Sequence, residues 1–426
     1  MLIFSETSST RLQYICHFIF REQLGIGYSL TIDSESFAKH DGPKINYSYV
    51  PIEGNVFTIK PTKILFEKTI VPQPIDCFEY NGSKAFFKTE GHFDFDIFAA
   101  SFYLLSRYEE YLPHTKDMYG RFAHENAIAF KEGFLNKPVI NNWIQDLANA
   151  IQQKFPGFQP KLTAFSFIPT YDIDIAWSFK NKGLIRNVGG FLKSPSFNRL
   201  AVLAGMQKDP FDCYEYLDEL HRNYQLNPIY FFLVATSTGL YDKNISPYEH
   251  AMWQLMKRHS KKYAVGIHPS WRSNEKPALF EKEKKILETI KNGAVKLSRQ
   301  HYIKMSLPDT YQNLYAAGIT DEYSMGYGSI NGFRASVASS FFWYNLKEEA
   351  VTKLRIHPFC FMDANAFYEQ KQTAQQSLPE IMHYYHECKN ANGQMITIFH
   401  NSFLGTDPLY KGWRKMYDEF TSQVRL

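Results

Sequence analysis

The sequence predicts an α/β protein: an irregular (β/α) barrel of about seven strands over residues 159–426, preceded by a smaller α/β domain over residues 1–158. Three observations lead there. From residue 162 onward, short β-branched and aromatic runs alternate with amphipathic stretches, the pattern of a largely parallel sheet crossed by helices. Those runs end repeatedly in Asp, His or Arg, and (β/α) barrels carry their chemistry at the C-terminal ends of strands. A length of 426 residues leaves room for two domains, of about 150 and about 250 residues.

In the first half, Ser9–Arg21 has helical periodicity, with apolar residues at 12, 15, 16 and 19. Residues 46–88 read as short strands broken by Pro51, Gly54, Pro61, Pro72, Pro74 and Asn81-Gly82. Asp96–Leu112 is the clearest helix of this half: it opens on an acidic cap and is stopped by Pro113. Its Arg107, Glu109 and Glu110 either form a polar cluster or, the plainer reading, face solvent. Pro138–Phe155 is a further helix, closed by Pro156-Gly157. No catalytic constellation is visible in this half.

In the second half, strands are predicted at 162–171, 228–235, 263–268, 294–301, 331–335, 353–358 and 394–400, with helices near 211–223, 247–260, 277–292, 309–317 and 370–391. The first strand runs into Pro169-Thr-Tyr-Asp-Ile-Asp-Ile-Ala-Trp177. Residues two apart on a strand share a face, so Asp172 and Asp174 can look into one pocket. There they raise one carboxyl pKa or recruit a cation; the alternative is a strand-end turn with two solvated carboxylates. Later strand ends carry His268, Arg299 with His301, Arg334 in Gly332-Phe-Arg-Ala-Ser336, His357 followed by Asp363, and His400. One such His is usually structural. Several on consecutive strand ends point to a shared site.

Composition narrows the classes. Hydrophobic content of 44% with 21% charged is that of an ordinary globular protein. Aromatics reach 16%, with 36 Phe and 28 Tyr, which serves a core and also suits surfaces that stack on sugars. A net charge of +4, with one short basic run at Lys257–Lys262, gives no nucleic-acid footprint. The five cysteines are dispersed, which argues for reduced thiols. The start shows no basic region followed by an apolar stretch, and no window approaches the ~18 apolar residues of a membrane span. A soluble, cytoplasmic protein is the expectation.

With these residues in view, the half from 162 to 404 resembles the polysaccharide deacetylases, metal-dependent carbohydrate esterases that remove N- or O-acetyl groups from sugars on an irregular (β/α) barrel. Thr170-Tyr-Asp-Ile-Asp174 is similar to their first motif. The resemblance implies that Asp172 is the general base and Asp174 a metal ligand. His268-Pro-Ser-Trp-Arg272 is similar to the second motif, with Arg272 where the family has a second ligating His. An Arg stays protonated and cannot ligate, so His301 at the next strand end is the candidate to complete the set. Gly332-Phe-Arg-Ala-Ser336 resembles the motif whose Arg, here Arg334, orients the catalytic Asp. Ile396-Thr-Ile-Phe-His400 resembles the late motif that supplies the general acid. The first half also looks like the domain that precedes the deacetylase in a bacterial subgroup, on Phe95-Asp-Ile-Phe-Ala-Ala-Ser-Phe-Tyr-Leu-Leu-Ser-Arg-Tyr-Glu-Glu-Tyr111.

The resemblance implies a divalent metal on Asp174, His268 and His301, a set that suits catalytic zinc, and an acetylated carbohydrate as substrate. Arg272, Trp271, Arg299 and His357 are the substrate-binding candidates at the rim. Arg272 serves an anionic sugar substituent or a surface salt bridge, and His357 lines the pocket or is structural. Trp271, Trp177 and Trp343 stack on sugars or belong to the core. Two other functions stay open: a barrel that binds sugar without catalysis, motivated by Arg272, and hydrolysis of another non-peptide C–N bond on the same site.

Overall fold

In the structure, a computed structural model that describes residues 1–193 and 195–424, the first half folds around its own sheet. Strands β1 (Leu2–Phe4), β2 (Ser29–Thr31), β3 (Lys44–Asn46) and β4 (Phe57–Thr58) pair parallel in the order β2-β1-β3-β4. A hairpin of β5 (Phe78–Tyr80) and β6 (Ser83–Ala85) turns at Asn81-Gly82, both left-handed at φ 45° and 72°, as a tight two-residue hairpin turn requires. Helix Thr10–Cys16 starts on Ser9, whose hydroxyl accepts a hydrogen bond from the Leu12 amide at 3.0 Å. Its buried Leu12, Ile15 and Cys16 join the apolar core that also holds Ile3 and Ile45. The long helix Val139–Lys154 lies close to its predicted bounds.

The predicted helix 96–112 is broken in two. Asp96 caps Ile97–Leu105, but Arg107 is left-handed (φ 55°) and only a short 3₁₀ turn, Tyr108–Tyr111, follows. That break turns three charged side chains inward. Arg107, Glu109 and Glu110 are all buried, so the solvent-facing reading is corrected.

The second half is built on nine strands: β7 (Ser166–Ile173), β8 (Ile229–Leu233), β9 (Ala264–His268), β10 (Leu297–Ser298), β11 (Asp321–Glu322), β12 (Phe341–Asn345), β13 (Ala350–Ile356), β14 (Phe361–Met362) and β15 (Gln394–His400). They pair in the order β12-β13-β11-β10-β9-β8-β7-β15-β14, all parallel except β12 with β13. Helices Tyr214–Tyr224, His250–Lys262, Pro277–Lys291, Asp309–Ala316 and Ala374–Asn390 make the crossovers, as parallel neighbours demand. This is a mixed α/β fold on a large, parallel-rich sheet. The seven-strand barrel is corrected: among the described residues the edge strands β12 and β14 do not pair with each other. The predicted strand 331–335 is a loop. Gly332 and Phe333 donate to the carbonyls of Cys360 and Leu135 at 2.9 and 2.8 Å, and Gly332 sits at φ 140° where a Cβ would come 2.7 Å from Leu135. The predicted strand 294–301 keeps only Leu297–Ser298, because the chain leaves the sheet at Arg299. All five cysteines are free thiols.

The halves share one continuous apolar core running from Ile3 to Val424. Polar joints cross it as well. Arg11 Nε donates to Glu349 at 2.9 Å, and the Tyr14 hydroxyl donates to the Phe342 carbonyl at 2.7 Å. Arg334 reaches back from the second half and grips Glu110 with Nε and Nη2 at 2.9 and 2.7 Å, while Arg107 Nε holds the same carboxylate at 2.8 Å.

Candidate metal centre and active site

Parallel register assembles the site. Across β15 and β7, His400 is the partner of Asp172; across β7, β8 and β9, Ile173 is level with Phe232 and Ile267. One residue further, Asp174 therefore stands level with His268. β10 pairs Ser298 with Ile267, which sets Arg299 and His301 beside them. Residues from distant parts of the chain thus converge at the C-terminal edge of the sheet.

The convergence is tight. One atom each from Asp174, His268 and His301 lie within 4.8 Å of one another. His268 Nε2 is 3.2 Å from Asp174 Oδ1, and His301 Nε2 is 3.4 Å from Asp174 Oδ2. Each ring is oriented from behind. His268 Nδ1 donates to the Arg299 carbonyl at 2.7 Å, which leaves Nε2 as the acceptor facing the site. His301 Nδ1 meets Asp242 Oδ1 at 3.1 Å, and that carboxylate is itself fixed by the Trp271 amide at 2.9 Å. Partners of this kind set the tautomer and raise ligand basicity.

The donor set fits a divalent cation. Asp174 Oδ1 is buried with no hydrogen-bond partner. Burial works against charge on His301, yet Asp174 and Asp242 outweigh it and carry its pKa up to about 9. Burial likewise opposes ionised Asp174, but His301 and His268 hold it well below the usual carboxylate range. The site draws positive charge, as a proton on imidazole or as a metal in its place. Two imidazoles and a carboxylate form a donor set that a divalent metal can take. Asp242→Asn is expected to keep the fold and weaken metal affinity about 10–100-fold; a competitive chelator titration measures it.

A carboxylate, Asp172, and an imidazole, His400, flank this cluster. Asp172 is buried; its Oδ1 accepts from Arg299 Nη1 at 2.8 Å, and its Oδ2 lies 3.8 Å from His268 Nε2. Arg299 is fully buried, with Nη1 also on the Thr170 hydroxyl at 2.7 Å, Nε on the Tyr323 carbonyl at 3.0 Å and its guanidinium 4.4 Å over the Phe231 ring. Gly266 makes room for that ring, since a Cβ there would sit 2.5 Å from it. Opposite, His400 Nδ1 bonds Asp363 Oδ1 at 2.6 Å, and Nε2 stands 3.5 Å from Asp174 Oδ2. Burial opposes its charge, but Asp363 and then Asp174 and Asp172 raise its pKa to about 10. These groups line a cavity of about 480 Å³. Two ring clusters contribute to its lining, Tyr119 with Tyr241 and Tyr302, and Tyr368 with Phe403 and Tyr410. Tyr302 is left-handed (φ 59°), and Arg121 holds its carbonyl at 2.6 Å.

The structure corrects several sequence expectations. Arg334 is spent on Glu110 and the Gly326 carbonyl, so the Arg that meets Asp172 is Arg299. Arg299 was expected to bind substrate; buried beneath the site, it positions the carboxylate and the His268 ring instead. Arg272 is exposed and lies outside the cavity lining. Trp271 stacks on Tyr241 at 4.0 Å, with Lys304 Nζ 4.2 Å over its ring, and does not line the cavity. His357 is bound to Asp321 at 2.9 Å and Ser340 at 2.7 Å and stacks on Tyr323, away from the cavity. Trp177 and Trp343 are core. Among the contributors that escaped sequence reasoning are Asp242 in a loop, Tyr119 and Arg121 from the first half, and the cavity aromatics Tyr241, Tyr302, Tyr368, Phe403 and Tyr410. The i, i+2 spacing of Arg299 and His301 was the signal available for Arg299.

Residues 1–156 match a family of unknown function, DUF7033. No curated protein matches the chain. Among solved structures it is similar to a Mycobacterium smegmatis protein assigned as a polysaccharide deacetylase, at 10% identity and TM-score 0.40, covering 61% of this chain and 84% of that one. It is also similar to a mutant CE4-family pseudoenzyme with restored enzymatic activity, at 10% identity and TM-score 0.30, covering 61% of this chain and 63% of that one. Likeness of this order assigns no activity.

Proposed function

We propose that the chain is a metal-dependent hydrolase that removes an N- or O-acetyl group from a glycan or glycan precursor. The observation that carries this reading is the Asp174–His268–His301 cluster, with Asp172 on Arg299 at one side and His400 on Asp363 at the other. In this reading Asp174, His268 and His301 hold the cation, zinc by ligand chemistry. A bound divalent metal lowers the pKa of a water and polarises an acyl oxygen. Asp172 accepts the proton of the attacking water, with Arg299 fixing its carboxylate. His400, charged and oriented by Asp363, gives a proton to the departing amine or alcohol. The two ring clusters suit the apolar faces of sugar rings. Arg272 in the second-motif position does not empty the site, because His301 fills that role.

The division near residue 158 belongs to the same proposal. The first half has its own sheet and lends Tyr119 and Arg121 to the cavity, so it shapes substrate access rather than standing apart. The test is metal content and acetate release from N-acetylated chito-oligosaccharide. Stoichiometric zinc is expected, with turnover lost on chelation and restored by Zn²⁺. A chain that binds the sugar, retains no metal and releases no acetate overturns the reading in favour of a binding module.

A further inference from the structure

Two helices present their apolar sides to solvent. Leu184–Lys193 and Phe197–Leu203 lie in the connection that follows β7, directly after the Asp172 and Asp174 strand end. A surface helix ordinarily turns its apolar stripe into the core. Here Leu184, Ile185, Leu192 and Phe197 are 80, 89, 78 and 91% exposed, and Met206 just beyond is 74% exposed. Positions 184, 185, 188 and 192 share one side of a helix with a 3.6-residue period, so the exposed apolar groups form a stripe.

Charge decides what fits that stripe. Between Asp174 and Asp209 the sequence holds six Lys and Arg and no Asp or Glu. Lys208 pairs with Glu215 at 2.6 Å, while among the described residues Lys180, Lys182, Arg186, Lys193 and Arg199 form no ion pair with an acid. Arg186 and Arg199 donate to the carbonyls of Lys243 and Asn187, each at 2.9 Å, and keep their charge.

We propose that these two helices dock in the plane of an anionic lipid bilayer, with the apolar stripe at the acyl boundary and the cations among the head groups. A second copy of the chain is a poor occupant, since two faces of the same strong positive charge would meet. A span is excluded by length: ten residues reach about 15 Å, against a hydrocarbon core of about 30 Å. The face adjoins the metal centre, because the Lys243 that Arg186 holds also lines its cavity. Docking therefore sets the cavity mouth beside the membrane surface.

Vesicle sedimentation of the full chain tests this. The wild type is expected to sediment with vesicles of equal parts phosphatidylglycerol and phosphatidylcholine, to stay in solution with phosphatidylcholine alone, and to be released by high salt. Ile185→Glu with Leu192→Glu is expected to weaken binding at least ~10-fold, and Lys180→Glu with Lys193→Glu at least ~30-fold. Ile32→Glu, on an exposed side chain of the first half, is expected to change nothing. Unchanged metal content reports that each variant is folded. The proposal is overturned if the wild type ignores the anionic vesicles, if the Ile185 and Leu192 variant binds as well as wild type, or if the face proves to hold a dimer that this variant dissociates. Vesicle binding needs no turnover, so failure here leaves the hydrolase reading untouched.

Discussion

Asp174→Ala is expected to fold, retain no metal and release no measurable acetate, whereas Asp172→Asn is expected to keep its metal and lose about 10²–10⁴ in turnover. The two carboxylates are two residues apart on one strand end, yet their surroundings differ. Asp174 Oδ1 is buried without a hydrogen-bond partner and the two carboxylate oxygens face His268 and His301, so in the proposed reading a cation would answer its charge. Asp172 is already answered by Arg299 at 2.8 Å, which leaves its other oxygen to accept a proton. Asn at 172 keeps the shape and the Arg299 contact but cannot take the proton. Elemental analysis and turnover on both variants separate the roles. Normal acetate release by Asp172→Asn would show that the base lies elsewhere.

Glu110→Ala is expected to cost about 3–5 kcal/mol of stability, since it leaves the buried Arg334 guanidinium without a carboxylate and Arg107 with only Glu109 at 3.5 Å. Urea unfolding measures it, and a loss below about 1 kcal/mol would mean that the joint contributes no more than a surface pair. The same joint sets an acid limit. Burial pushes the Glu110 carboxyl up, but Arg334 and Arg107 outweigh it and hold the pKa at about 2, below the ordinary 4.5. A depressed carboxylate stabilises the fold above its ordinary pKa, and that contribution fades as pH falls through the folded value. Stability owed to Glu110 is therefore expected to decline between about pH 5 and pH 2, by about 3 kcal/mol, and Glu110→Gln should flatten that part of the profile.

The chemistry-bearing residues were legible because their types and strand-end positions are local facts. Asp172, Asp174, His268 and His400 each end an apolar or β-branched run, and parallel strands bring such ends to one edge, while His301 follows three residues after the two-residue β10. Short strands were not legible. Asp321–Glu322 is two charged residues with no β preference, held in the sheet only by its neighbours β10 and β13.

The two arginines show where sequence stops. Arg334 sits in the pattern associated with the catalytic Asp, yet its loop carries it to Glu110. Arg299, one residue past a two-residue strand, arrives under Asp172. Burial of Arg107 and Glu110 was equally hidden, because Arg334, which meets both, lies more than two hundred residues away. Sequence by itself determined the alternation of strands and helices, the parallel-rich sheet and the residue types at its functional edge. Tertiary structure alone decided which charge meets which. Periodicity is a property of neighbouring residues, whereas the pairing of buried charges depends on loops that bring distant segments within hydrogen-bond reach.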